Sequence, residues 1–183
     1  MVFIGYCDGS TDHDKALSVQ AISAGVHVFH GEPECTQRSW SVCGRFTGSA
    51  AAELFSLYML LVTVQTMKDK ARGYCQLFTD SARAYEWVHE GIEPKSKHGL
   101  RNLPLIKLCR GLLREIREID RIEVHFNKID RSRNKEADNL AKQELRECRQ
   151  QNFKSTPGLT EEYQELSTAL REVEALTRAV QEQ

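Results

Sequence analysis

Asp8 follows the apolar run from Val2 to Cys7, and Asp80 closes the stretch GYCQLFTD. Glu53 and Asp138 each fall in the opening turns of a segment with helical spacing. Singly, each acid has an ordinary explanation. Asp8-Gly9 is a turn signal, Asp80 in TDSA caps a helix, Glu53 answers a helix dipole, and Asp138 lies on a solvated face. Together they have another. Carboxylates gathered within a few ångströms repel and cost stability unless a cation neutralises them, and all-oxygen acidic sites select hard divalent ions such as Mg²⁺ or Mn²⁺. Two such ions about 4 Å apart activate a water and hold the leaving oxygen of an in-line displacement at phosphorus. That is nuclease chemistry, provided the fold brings the acids to one place.

The elements that must do so are legible as patterns. Residues 2–8 read as a strand, STDHDK as a turn, residues 16–29 as a second β segment and residues 35–46 as a third, giving an antiparallel meander. After the breaker TGS, Leu54, Leu57, Leu61 and Val64 recur at helical spacing, so residues 50–69 form a long helix with a buried face. A strand at 73–80, a helix at 81–91 closed by Gly91, a basic polar loop to Pro104, a helix at 103–119, a strand at 122–129 and a helix at 134–150 follow. This order predicts an α/β fold: a mixed five-stranded sheet, part antiparallel meander and part parallel, flanked by helices. The strand after the first crossover then pairs parallel to the first strand, which sets Asp8 and Asp80 at one edge, where open α/β sheets build their sites. The helix starts carrying Glu53 and Asp138 can reach that same edge.

The chain has 183 residues, enough for one full domain, here placed at residues 1–150 with a linker at 151–160 and an amphipathic helix at 161–183. The tail from Glu161 holds six Glu against two Arg, so the overall charge of −1 hides a positive body. Basic residues cluster in KSKHGLR and KIDRSRNK, and local clusters, not totals, set the potential a polyanion meets. In the tail, Tyr163, Leu166, Leu170, Val173 and Val180 run close to heptad spacing. That stripe either folds back on the domain or pairs with a second copy or another protein. The longest apolar stretch, around LFSLYMLLV, is short of the roughly 20 residues of a membrane span, and the start lacks a secretory pattern. Six scattered cysteines without a CxxC pair suit reduced thiols, so the expected place is inside the cell, cytoplasmic, with the nucleus open as well.

YCDGS, AAELFSL with Glu53, LFTDSARAYEWV with Asp80 and RSRNKEADNLAKQ with Asp138, in this order across residues 1–150, resemble the type 1 ribonuclease H family and its relatives in retroelements. The resemblance implies a ribonuclease H-like fold and endonucleolytic cutting of the RNA strand of an RNA·DNA hybrid, leaving 5′-phosphate and 3′-hydroxyl ends. It implies that Asp8, Glu53, Asp80 and Asp138 are catalytic and hold two Mg²⁺ or Mn²⁺ ions. Ser10, Ser49, Ser81 and Asn134 beside these acids, with Lys95, Lys97, Arg101, Arg131 and Arg133 in the basic segments, are the expected contacts to nucleic acid. Three places depart from the family. STDHDK stands where a Gly-Asn-Pro-Gly turn is frequent, Gly48-Ser49-Ala50 stands where Asn residues read the minor groove, and KIDRSRN lacks the loop His. The alternatives are another nuclease of the same fold and a non-catalytic nucleic-acid-binding or scaffolding domain.

Overall fold

A computed structural model describes residues 2–14, 19–31, 34–46 and 48–181. Five strands, β1 (Phe3–Asp14), β2 (Val19–Phe29), β3 (Cys35–Gly44), β4 (Tyr74–Thr79) and β5 (Glu123–Lys128), form one sheet in the order β3-β2-β1-β4-β5. The first three pair antiparallel, while β4 joins β1 and β5 joins β4 in parallel, as the sequence pattern predicts. Between them lie α1 (Ala50–Thr66), α2 (Lys68–Ala71), α3 (Ala82–Ala84), α4 (Lys97–Arg101) and α5 (Leu103–Glu118), and after β5 come α6 (Lys135–Gln150), α7 (Leu159–Glu162) and α8 (Gln164–Gln181).

α1 is buried on nearly every face because it lies between the sheet and α5. Its Leu54, Phe55, Leu57 and Leu61 pack with Phe3, Cys7, Ile22 and Leu77 of the strands and with Leu105, Ile106 and Ile116 of α5. α6 crosses the sheet at β1 and β2. The parallel strand β5 packs on one face only: Val124 and Phe126 are buried, and the alternating Glu123 and His125 are exposed.

Several boundaries differ from the sequence pattern. β1 does not stop at Asp8 but stays paired with β2 through Asp14, so residues 10–14 of the expected turn are strand, and Lys15 to Ser18 lie outside the described residues. Asp-Gly signals a turn only where no neighbour supplies ladder bonds; here β2 continues opposite it. The basic loop contains α4, whose start is capped by Ser96 Oγ accepting from Gly99 N at 3.1 Å. The helix expected at 81–91 widens after Ala84 into a π-helical turn, Tyr85–His89, and the loop before α6 holds a 3₁₀ turn, Arg131–Arg133.

The tail folds back. Leu159, Leu166, Leu170 and Val173 are buried in the same apolar cluster as α1 and α5, and α8 packs along α5. Residues 155 and 156 lie on the outer edge of β3: Thr156 N donates to Ser41 O at 2.9 Å, Ser41 N to Thr156 Oγ1 at 2.8 Å, and Cys43 N to Ser155 Oγ at 3.0 Å. These bonds satisfy edge groups that would otherwise template pairing with another chain. Among the described residues no helix is long and apolar enough to cross a membrane.

Candidate active site

Asp8 sits mid-strand, and two glycines beside it determine what can approach. A Cβ on Gly9 would lie 2.2 Å from the Ala52 carbonyl oxygen, next to Glu53, so α1 starts in contact with bare strand backbone. Gly25 is the cross-strand partner of Asp8, and a Cβ there would lie 2.2 Å from Ala137 O and 2.6 Å from Ala141 N of α6. Thus the helix starts bearing Glu53 and Asp138 are both seated on glycines that flank Asp8. Ser23 Oγ adds a bond to Ala141 O at 2.6 Å, fixing α6 further. The sequence pattern marks none of these small residues as part of the site, although the run Ser23-Ala24-Gly25 carries the signal.

Asp80 follows β4 immediately, and β4 is hydrogen-bonded to β1 up to the pair Cys7 and Thr79. Its carboxylate is fixed by Asn134, whose Nδ2 donates to Asp80 Oδ1 at 3.1 Å and to the Cys7 carbonyl at 2.9 Å. One amide therefore ties the residue before Asp8, the residue after β4 and the start of α6. Glu53 accepts a short hydrogen bond from Ser81 Oγ, and the same hydroxyl accepts from Ala84 N at 3.1 Å, capping α3. Asp138 is paired with Lys142 Nζ at 2.5 Å and with Arg131 Nη2 at 3.2 Å.

The electrostatics follow from this crowding. Burial, then the Asp80 charge, then the hydrogen bond and charge of Asp138 push the Asp8 carboxyl up to about 8. Burial also raises Glu53, against the opposing hydrogen bond from Ser81 and the nearby Arg83 charge. Asp138 goes the other way: burial opposes it, but Lys142, the hydrogen bond to Asp8 and Arg131 hold it below the usual carboxylate range. The proton shared in this corner therefore resides on Asp8.

The donors are all carboxylate oxygens, and Asp80 and Asp138 crowd the buried Asp8; both features fit a hard divalent cation. Among the described residues, no three His, Cys, Asp or Glu side chains are already drawn into a cage. Glu53 is held by Ser81, the residue next to Asp80, and Asp138 by Lys142 and Arg131.

Of the residues expected to touch nucleic acid, Ser49 is exposed just ahead of α1, Ser10 lies half-buried in β1, and Ser81 is buried on Glu53. Lys95, Lys97 and Arg133 are exposed. Arg131 is exposed but engaged with Asp138, Asn134 is 1 % exposed, and Arg101 is 8 % exposed with its Nε buried.

No family model matches the chain, and no curated protein matches it by sequence. Solved structures do match by shape. The RNase H1 of the halophilic archaeon Halobacterium salinarum superposes with a TM-score of 0.58 at 16% identity, covering 80% of this chain and 99% of that one. LC11-RNase H1 in complex with an RNA/DNA hybrid gives 0.59 at 18%, covering 80% and 98%. The N-terminal RNase H domain of Rv2228c from Mycobacterium tuberculosis gives 0.57 at 15%, covering 81% and 98%. The chain has the ribonuclease H-like fold. Within this ribonuclease H-like sheet Asp8 lies in the central strand β1, Asp80 directly follows its neighbour β4, and Glu53 and Asp138 lie in the first turns of the two helices seated beside Asp8.

Proposed function

We propose that the chain is a metal-dependent endonuclease that hydrolyses the RNA strand of RNA·DNA hybrids and leaves 5′-phosphate and 3′-hydroxyl ends. The observation that carries this reading is the meeting of Asp8, Asp80 and Asp138 around Asn134, with the start of α1 seated on Gly9 beside them. Asp8, Glu53, Asp80 and Asp138 would hold two Mg²⁺ or Mn²⁺ ions, which when bound supply an activated water and charge stabilisation of the departing oxygen. Asn134 orients Asp80, and Ser81 holds Glu53 in reserve at hydrogen-bond length. Arg131 and Lys142 keep Asp138 ionised and place positive charge where a phosphate would lie.

Exposed Lys95, Lys97 and Arg133 supply the phosphate contacts that any duplex requires, while the buried Arg101 has little surface for that role. Choice of a hybrid is supported by the motif resemblance and by the hybrid-bound state of a similar structure. Six free thiols support work in a reducing compartment, the cytoplasm.

The test is an incubation of pure protein with end-labelled RNA·DNA hybrid, double-stranded RNA and single strands, in Mg²⁺, Mn²⁺ or EDTA. Cutting of the RNA strand of the hybrid, only with metal and lost in Asp80→Asn, is the expected result. Hybrid binding without cleavage in either metal would replace this reading with a binding domain of the same fold.

A further inference from the structure

Ser39, Ser41 and Cys43 alternate along β3 onto one face, and Glu144 and Cys148 lie one turn apart on the side of α6 that meets them. The two periods mesh. Ser39 Oγ and Ser41 Oγ donate to Glu144 Oε2 and Oε1 at 2.9 and 2.8 Å, and one step further along both elements the Sγ atoms of Cys43 and Cys148 lie 3.4 Å apart. This contact joins residues 105 positions apart in the chain and belongs to a strand and a helix, not to a loop. The close seating of α6 on Gly25 and Ser23 keeps it in register. Beside it, Cys43 N donates to Ser155 Oγ at 3.0 Å and Cys148 Sγ to Lys154 O at 3.4 Å. Nothing in the nuclease reading uses either thiol.

The surroundings sort the six free cysteines. Cys7, Cys75 and Cys109 lie in the core with no exposed surface, and Cys35 is exposed. Cys43 is half-buried, so a small reagent reaches it, while Cys148 stands behind it at 2 % exposure. A reachable thiol with a second thiol in contact is the arrangement that resolves a mixed disulfide within one molecule. Sulfur atoms in a disulfide are about 2 Å apart, so closure asks for a shift of little more than roughly 1 Å shared between two side chains. Burial, then the Cys148 thiol, raise the Cys43 pKa against the Ser155 hydrogen bond. The attacking thiolate is therefore scarce near neutral pH, and the response is slow.

We propose that Cys43 and Cys148 form a reversible disulfide under sustained oxidation by a low-molecular-weight disulfide, and that this link latches α6 to β3. The Cys43 thiolate attacks one sulfur of the oxidant, the oxidant's S–S bond breaks, and one thiolate leaves. The Cys148 thiolate then attacks Cys43 Sγ and expels the second. Two electrons pass to the oxidant, whose two sulfurs take up the two protons. An excess of reduced thiol runs the same exchange backwards, so in a reducing compartment both residues stay thiols. The closed ring runs from β3 through α1, β4, α5 and β5 to α6, and it restricts the unfolded chain far more than the folded one. The carboxylate corner lies at the opposite end of α6, so the latch preserves the fold without entering the chemistry there.

The full chain, freed of reductant, is incubated with oxidised glutathione, alkylated in denaturant and digested, and its melting temperature is taken before and after. A chain lighter by two hydrogens, a peptide linking Cys43 to Cys148 and a melting temperature higher by about 10 °C are expected, all reversed by dithiothreitol. The link should form about tenfold faster for each unit of rising pH near neutrality. Cys43→Ser and Cys148→Ala should each lose the oxidised-minus-reduced shift, and Cys35→Ser should keep it. Because each shift is taken within one variant, a change in that variant's basal stability cancels. Two thiols still open to alkylation, a glutathione adduct that stays on Cys43, linkage only between chains through Cys35, or an internal link with no rise in melting temperature overturns the proposal. None of these readouts uses metal or cleavage, so a failure here is distinguishable from failure of the nuclease reading.

Discussion

Asp8 is the acid whose environment most disfavours its charge, because burial and two neighbouring acids act on it together. A folded-state pKa raised from 3.8 to about 8 means that the native protein holds a proton the unfolded chain has released. Stability from this group is therefore full below the unfolded value and lost as pH rises towards 8. Asp8→Asn keeps the shape and cannot ionise, so in EDTA its melting temperature should lie nearest the parent's below about pH 4, draw ahead as pH rises, and exceed it by several degrees at pH 9. A constant difference across that range would remove the crowding argument. With Mg²⁺ present the order should reverse, since the parent alone ligates with a carboxylate, and cleavage by Asp8→Asn or Asp80→Asn should fall to background. At the substrate, Lys95→Ala, Lys97→Ala and Arg133→Ala should weaken hybrid binding irrespective of sequence. Each should flatten the salt dependence by about one unit of slope for each phosphate contact removed. Unchanged slopes in a salt titration would assign those side chains to solubility.

Helices reach the site because strands make room for them. Gly9→Ala and Gly25→Ala each place a carbon 2.2 Å from a helix carbonyl, and neither backbone can yield without moving the helix start it belongs to. The expected cost is on the order of 1–3 kcal/mol, the usual range for overpacking, or about 2–4 °C per kcal/mol in a domain of this size. Activity should fall further than stability, because Gly9→Ala displaces the turn holding Glu53 and Gly25→Ala displaces the turn holding Asp138. Chemical denaturation and initial rates on the same samples separate the two losses; wild-type rates in a folded Gly25→Ala would show that α6 has slack at β2.

Across the whole molecule the tail is part of the packed body. Leu166, Leu170 and Val173 are at most 4 % exposed, and residues 155 and 156 occupy the β3 edge. The stripe thus has a cover within its own chain, and the full protein should sediment as a monomer. Removing residues after Gln150 uncovers α5 and bares that edge. Each fully buried aliphatic side chain contributes about 1.5–3 kcal/mol as an upper estimate, so the truncated form should lose several kcal/mol and tend to aggregate. Cleavage per folded molecule should persist, since the four acids precede the cut. A truncation as stable as the full chain would return the tail to the role of a partner-binding helix.

The sequence by itself determined the order of the strands and main helices, the mixed sheet and the choice of four acids as candidates, because hydrophobic period and motif spacing are local properties that survive without a fold. Only the tertiary structure decided that β1 continues past Asp8, that Gly9 and Gly25 are approach surfaces and not punctuation, that Arg101 is buried, and that the apolar stripe of α8 faces α5. Each of these depends on what lies across a strand pair or against a helix face, and a residue's neighbours at such distances in the chain leave no mark on its own local pattern. His27 is the clearest instance: in sequence it is one polar residue in an alternating strand, and in the fold it is a buried ring set 4.4 Å from the ring of Phe29.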